Sequence, residues 1–241
     1  MRIALIGYGR MGQAIETIAL ERGHSISAKV NSENPIESVD LTDTDVAIEF
    51  SVPQTVVKNI NILLDKKIPV VVGTTGWNDS LEEISMRVES NNLSLLHASN
   101  FSIGVNLFFK LNEQLAKLMN PHSDYYVSME EIHHTQKLDA PSGTAITLAE
   151  GVIANHKAVD NWNCPQHPTN NEFNGGVEIN ALRIPDVPGT HEIRYQSGID
   201  TISIKHEAHS RKGFATGAVI AAEWLINKKG VYTMRDVLEI N

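Results

Sequence analysis

Cysteine is almost absent: the single Cys164 among 241 residues excludes an internal disulfide framework and any cysteine-built metal site, and fits a reducing, cytoplasmic setting. No apolar run reaches the roughly 18 residues of a membrane-spanning helix. The opening MRIALIGYG enters a strand pattern at once, without the apolar core and small-residue cleavage site of a secretory leader, so a soluble, unexported chain is expected. Positive charge is also scarce. Lys and Arg number 20 against 29 Asp and Glu, a net charge of −9 with no basic run, which gives no footing for nucleic acid or an anionic membrane. An anionic small molecule would need a pocket that is basic only locally. There is no internal repeat and no low-complexity segment. What is present is a 41% hydrophobic content, enough for a packed core in one large domain or two small ones.

The N-terminal third alternates strand and helix patterns. Ile3 to Ile6 is a short apolar strand, followed by Gly7-Tyr8-Gly9-Arg10-Met11-Gly12 and a helical pattern (Ala14, Ile15, Ile18, Ala19) that stops at Gly23. This is GxGxxG between strand and helix. The first glycine allows a tight turn, the second lets the backbone approach a pyrophosphate, and the third lets helix and strand pack closely. Ser25 to Val30 reads as the second strand. An NAD-preferring site would carry an acid at its end to hold the ribose hydroxyls, but Asn31 stands there, with Glu33 slightly beyond. Lys29 and Arg10 are placed to meet a 2′-phosphate, so NAD and NADP both remain open. Val46 to Phe50, Pro69 to Val72 and Leu93 to Ala98 give three further strands. A helix opening at Ser51 and Pro53 runs through Leu64, and Ser80 with Glu83 forms a capping-box pattern for the next one. Gly73-Thr74-Thr75-Gly76 closes the fourth strand, where small residues let a flat nicotinamide lie against backbone. Such alternation predicts a doubly wound, Rossmann-type parallel sheet.

The densest chemistry lies in Glu130 to Ala145, EEIHHTQKLDAPSGTA. Tyr126 to Ile132 reads as a strand, so His133 and His134 fall where it opens into a loop. Pro141 suits a first helical turn with Asp139 capping just ahead of it, and Ser142, Gly143 and Thr144 offer amides and hydroxyls to a carboxylate. Two histidines, a lysine and a helix N-terminus can hold a dianionic substrate and move a proton. Beyond this stretch, Val177 to Ile184, Thr190 to Tyr195 and Thr201 to Ala208 are strands, while Asn155 to Gly176 reads as an irregular excursion. Ile202, Ile204, His206 and Ala208 alternate. A second, open and largely antiparallel sheet is therefore expected, with an apolar face longer than its own helix can cover. Phe214 to Ile226 is an alanine-rich helix ended by Lys228-Lys229-Gly230, and Met234 to Leu238 closes the chain.

The string HHxxKxDAPSGTA closely resembles the substrate signature of the dihydrodipicolinate reductase family of the diaminopimelate route to lysine. GRMG, NFSIGVN (Asn100 to Asn106), GTHEI (Gly189 to Ile193), HEAHSR (His206 to Arg211) and the tail from Phe214 are similar to that family as well, so the matching segments run from residue 4 to 238. The resemblance implies a dinucleotide domain at 1–102 and 214–241. It also implies a smaller α+β domain with an open mixed sheet at 103–213, which binds substrate and assembles a homotetramer. The implied reaction delivers hydride from NADPH or NADH to a cyclic imine dicarboxylate and adds a proton, giving tetrahydrodipicolinate. By position, His133 is the proton donor or acceptor and Lys137 the proton donor. His134 contacts one substrate carboxylate; Gly143 and Thr144 hold the other. The cofactor site is expected from Gly7, Tyr8, Gly9, Arg10, Met11 and Gly12, from Gly73, Thr74 and Thr75, and from Ala98, Ser99, Asn100 and Phe101.

Three other readings are weaker. A non-catalytic NAD(P)-sensing protein explains residues 1–100 and leaves the central string idle. A metal-dependent hydrolase using His133, His134, His206 and His209 lacks an HExxH helix, and adjacent histidines on an extended segment point apart, so no metal is expected. A cysteine nucleophile is set aside because Cys164 lies in a polar loop beside Pro165.

Overall fold

Helices on both faces of a parallel sheet leave a central strand no exposed side, and the unbroken apolar run from Ile3 to Ile6 becomes such a strand. In the computed structural model, which describes residues 1–165, 176–210 and 212–240, the chain divides into two units: Met1–Ile103 with Lys212–Asn241, and Gly104–Arg211. The first begins β1 (Arg2–Ile6), α1 (Arg10–Glu21), β2 (Ser25–Val30), β3 (Val46–Glu49), α2 (Pro53–Asp65), β4 (Val70–Val72), α3 (Leu81–Ser90) and β5 (Ser94–His97). The chain continues with α4 (Ile103–Met119), β6 (Tyr126–His133), α5 (Gly143–Ile153), β7 (Trp162–Asn163), β8 (Val177–Arg183), β9 (Thr190–Gln196) and β10 (Thr201–Glu207). It closes with α6 (Lys212–Leu225), β11 (Gly230–Tyr232) and α7 (Met234–Leu238).

The first unit holds a six-stranded sheet in the order β11-β5-β4-β3-β1-β2, with every pair parallel. Side chains alternate between its faces. Ala4, Ile6, Ala47, Val70 and Val72 pack with Val56, Ile60 and Leu63 of α2 and Ile84 and Val88 of α3. Ile3, Leu5, Ile48 and Val71 pack on the other side with Ile15 and Ile18 of α1 and Ala218, Val219 and Ala222 of α6. The sheet is thus wound on both faces. A single truncation such as Ile48→Ala in this core would cost roughly 2–5 kcal/mol. Strand β11 was not expected, being three half-buried residues at the sheet edge rather than part of a helix ending at Gly230. Ser80 stands at the N-cap of α3 but does not form the expected capping box. It closes a tight 3-10 turn, Asn78–Ser80, with φ −99° and ψ −2°, and makes no side-chain cap bond.

The second unit holds a five-stranded sheet, β10-β9-β6-β8-β7. It is evenly mixed rather than largely antiparallel: β9 runs antiparallel to β10 and β6, whereas β6·β8 and β8·β7 are parallel. One face carries Val127, Met129, Ile179, Ile193 and Tyr195, covered by Phe108 and Ala116 of α4 and Leu148 and Val152 of α5. This apolar face outruns its helices at the edge, where Ile202 is 41% exposed, while the opposite face is mixed, with Tyr126, Ile132 and Leu182 standing among charges. The charges are Glu130, Glu192, Arg194, Lys205 and Glu207, with Arg194 paired to Glu192 at 2.7 Å and to Glu130 at 3.7 Å. Of the irregular excursion, β7 is a short strand, and 166–175 lies outside the described residues. Among the described residues no helix is long and apolar enough to cross a membrane.

Candidate active site

In the first unit the expected cofactor residues gather at the carboxyl edge of the parallel sheet. Gly7 takes φ +96°, and a Cβ there would lie 2.1 Å from the Phe50 carbonyl oxygen. A Cβ on Gly12 would lie 2.4 Å from the Gly7 oxygen, so this glycine lets α1 approach the loop. The Gly7 and Tyr8 amides donate to the Val30 carbonyl at 3.0 and 2.8 Å, tying the loop to the end of β2. Gly9 differs from the other two glycines. It is the N-cap of α1, makes no side-chain cap bond, and its Cβ position meets nothing within 4 Å. The leading amides of α1 are thus left without a side-chain cap, and the turn ahead of them borders a cavity of about 500 Å³ bounded by Gly7, Gly9, Val30, Asn31, Ile36 and Lys58. Open backbone, uncapped amides and this volume fit the diphosphate and adenosine of a dinucleotide.

At the ribose end, Asn31 is committed to its own turn, because its Oδ1 accepts from the Glu33 and Asn34 amides at 3.0 and 2.8 Å. Lys29 sits 2.6 Å from Glu16 and donates to the Tyr8 hydroxyl at 3.1 Å, and Tyr8 also bonds Glu16. The hydrogen bonds from Lys29 and Tyr8 hold the Glu16 carboxyl below its usual range.

Gly73, Thr74 and Thr75 follow β4 and border a second cavity of about 260 Å³ with Met11, Ser51 and Pro53. The smallness of Gly73 serves packing as well as a ligand, since its Cβ would fall 2.1 Å from the Phe50 ring. Thr74 Oγ1 accepts from the Ser51 amide at 2.8 Å and donates to Glu49 at 2.6 Å. Ala98 follows β5, its amide bonding the Val72 carbonyl at 3.2 Å, and leads through Ser99 to buried Asn100 and Phe101. The Asn100 side chain accepts from the Ser102 amide at 2.9 Å, and the Phe101 ring lies 5.6 Å from that of Phe50.

In the second unit, His133 is the last residue of β6 rather than the first of the loop, and it is buried. Beneath it lies Glu131, two residues earlier and so on the same strand face, with no solvent exposure. The Glu131 carboxylate accepts from the Ser142 amide at 3.1 and 3.2 Å and from Arg183 at 3.2 Å; it stands 3.4 Å from His133 Nδ1 and 3.6 Å from His191 Nε2. Burial alone would raise its pKa, but the nearby His191, the hydrogen bonds from the Ser142 amide and the charge of His133 hold it at about 2. For His133, burial outweighs the attraction of Glu131 and, with repulsion from His191, Lys137 and Arg183, pushes the imidazole down to about 4. His133 is therefore neutral near pH 7.

Lys137 reaches both carboxylate oxygens of Asp139 at 2.8 Å. Arg183 straps the same loop by donating to the Asp139 carbonyl at 2.6 Å. Asp139 thus pairs with Lys137 and does not cap α5. That helix starts at Gly143, two residues after Pro141, and its N-cap is Ser142, whose Oγ accepts from the Ala145 amide at 3.2 Å. The Gly143 Cβ position is open space, and Thr144 is half-buried beside it. His134, the next residue, lines a cavity of about 280 Å³ with Gln136, Pro185 and Pro188.

The sequence reading missed Glu131, Arg183 and His191. The spacing of Glu131 from His133 was a usable signal; the other two become neighbours only through strand pairing, Arg183 with His133 and His191 with Glu131. Of the four histidines weighed for a metal, His133 is joined instead by His191 and Glu131, whose donor atoms lie within 4.8 Å of one another. Arg183 and the Ser142 amide already occupy that carboxylate, and the cationic surroundings oppose a divalent ion.

Residues 1–101 match the family description "Dihydrodipicolinate reductase, N-terminus", and residues 104–238 match its C-terminal counterpart. A 4-hydroxy-tetrahydrodipicolinate reductase from Christiangramia forsetii is 48% identical over 99% of this chain and 98% of its own length. The one from Pelagibacter ubique is 36% identical over 95% and 94%. In fold, the chain resembles the dipicolinate-bound dihydrodipicolinate reductase from Paenisporosarcina sp. TG-14, with a TM-score of 0.76 at 23% identity over 97% of both chains. Aspartate semialdehyde dehydrogenase II from Vibrio cholerae shares the fold more distantly, with a TM-score of 0.53 at 10% identity over 92% of this chain and 97% of that one.

Proposed function

The chain belongs to the dihydrodipicolinate reductase family, and on that premise we propose that it reduces 4-hydroxy-tetrahydrodipicolinate to tetrahydrodipicolinate through His133 and Lys137. The reaction is a step in the diaminopimelate route to lysine and uses a nicotinamide dinucleotide. When bound, the dinucleotide supplies the hydride. Arg10, Met11 and Gly12 at the head of α1 hold its diphosphate, with Gly73 to Thr75 and Ala98 to Phe101 around the reactive ring. Both NADH and NADPH serve, because neither an acid at position 31 nor an unengaged Lys29 selects between them.

The observation that carries the chemistry is a neutral His133 beside the cationic Lys137 at the approach to α5. Loss of the substrate's 4-hydroxyl as water leaves a conjugated cyclic imine; hydride adds at the carbon that bore the hydroxyl, and Lys137 Nζ gives a proton to the electron pair so created, its charge stabilising that pair while it forms. His133, uncharged, orients the substrate and exchanges a proton without placing a second cation next to Lys137. The amides of Gly143 and Thr144 hold one carboxylate, and His134 contacts the other. A dinucleotide sensor without catalysis would leave this buried cluster without a use. We infer also that the protein is a homotetramer assembled through the second sheet. In that reading the charged face is buried as ion pairs against another copy.

The test is oxidation of NADH and NADPH in the presence of the condensation product of pyruvate and aspartate semialdehyde. No substrate-dependent loss of reduced dinucleotide would overturn the proposed function.

A further inference from the structure

The first unit contains a buried acid that the proposed mechanism does not use. Glu49 ends β3, at the carboxyl edge of the sheet between the neighbouring strands β1 and β4, and has no solvent exposure. Three neutral donors converge on its two oxygens: the Ser51 hydroxyl, Asn59 Nδ2 at 3.2 Å, and the Thr74 hydroxyl at 2.6 Å. The Thr74 hydroxyl accepts from the Ser51 amide, which commits its proton to Glu49. Donors placed on both oxygens suit an ionised carboxylate. Burial raises its pKa above the ordinary carboxyl value, a rise that the bonds from Ser51, Thr74 and Asn59 reduce. No basic side chain among the described residues pairs with it. An unpaired buried charge is costly, and packing alone would be served by a neutral residue.

Two of the three donors, Ser51 and Thr74, form the wall of the cavity beside Gly73 and Thr75, so the carboxylate stands one side chain behind that surface. Loss of hydride leaves a nicotinamide ring with a positive charge it did not have before. A fixed negative charge behind the ring subsite stabilises the charged form and the transition state leading to it, and leaves the neutral reduced form nearly unaffected. We propose that Glu49 is a positioning residue whose carboxylate braces the Ser51 and Thr74 loops and favours the oxidised, cationic nicotinamide over the reduced one, easing hydride release. The inference rests on the reading of Gly73 to Thr75 as the ring subsite.

The experiment measures dissociation constants of the full-length protein for oxidised and reduced dinucleotide and for ADP-ribose, which lacks the nicotinamide. Glu49→Gln is expected to weaken the oxidised form relative to the reduced one by roughly tenfold, about 1.4 kcal/mol, and to leave ADP-ribose unchanged. Glu49→Asp, which keeps the charge, should retain most of the parental ratio. Asn59→Leu, which removes one donor and keeps the carboxyl, should move the ratio in the same direction by less, and serves if Glu49→Gln does not fold. An equal weakening of all three ligands, or an unmoved ratio, would reduce Glu49 to a brace and overturn the proposal. Gly9→Val separates the two readings. If it still binds all three ligands at parental affinity, the site assignment itself fails; if it loses them while Glu49→Gln leaves the ratio unmoved, only the role of Glu49 fails.

Discussion

Glu131 lies 3.4 Å from Nδ1 of His133 on the same face of β6, and both residues are buried. Their titrations set a pH dependence of stability. His133 titrates at about 4 in the fold instead of 6.5, so as pH falls the unfolded chain takes up its proton first. That contribution is complete above about 6.5 and is lost between there and about 4. Glu131, at about 2 instead of 4.5, contributes above about 4.5 and loses its share as pH falls towards 2. Thermal midpoints should decline from pH 7 to pH 4 and continue down below it. His133→Asn should flatten the upper segment and, by removing one of the charges that hold Glu131 down, make the lower one shallower. Glu131→Ala should cost roughly 3 kcal/mol even at pH 7, because Arg183 loses its buried partner.

Catalyst and clamp separate kinetically. Lys137→Ala and His133→Ala should lower kcat by about 100 to 10,000-fold with little change in dinucleotide affinity. Thr144→Val touches a contact present in ground and transition states alike and should raise KM at least as visibly as it slows turnover. Near-parental turnover in Lys137→Ala would make the central cluster a binding cradle only.

The glycines of the first loop should divide in the same way. Gly9 has room for a side chain and an ordinary φ of −91°, so Gly9→Val should fold and lose dinucleotide binding. Gly12→Val meets the Gly7 carbonyl oxygen and should lower the thermal midpoint as well. Calorimetric titration beside thermal melts checks both.

Cofactor preference should be slight. Asn31 is tied into its turn and Lys29 into its pair with Glu16, so NADH and NADPH affinities should agree within about tenfold, or 1.4 kcal/mol. A larger ratio for NADH would give Glu33 the role of the missing acid.

Light scattering at micromolar concentration should find a tetramer. If the charged face around Glu130, Glu192 and Arg194 is the contact, high salt should weaken the assembly. A stable monomer in low salt would contradict it.

Local pattern carried most of the first unit. An apolar run, three glycines and a period near 3.6 specify strand, turn and helix within twenty residues, and these signals need no distant partner. The positions of His133, Lys137 and Gly143 were legible for the same reason, as one contiguous string. Only the tertiary structure decided what lies across a strand or behind a wall. Pairing of β6 with β8 and β9 brings Arg183 and His191 to Glu131 from about fifty and sixty residues away; desolvation there keeps His133 neutral, while hydrogen bonds and neighbouring charges keep Glu131 ionised against it. The edge strand β11 had too few residues to show a period. The mixed outer face of the second sheet depended on register, because a shift of one residue would have exchanged Glu130 for Glu131.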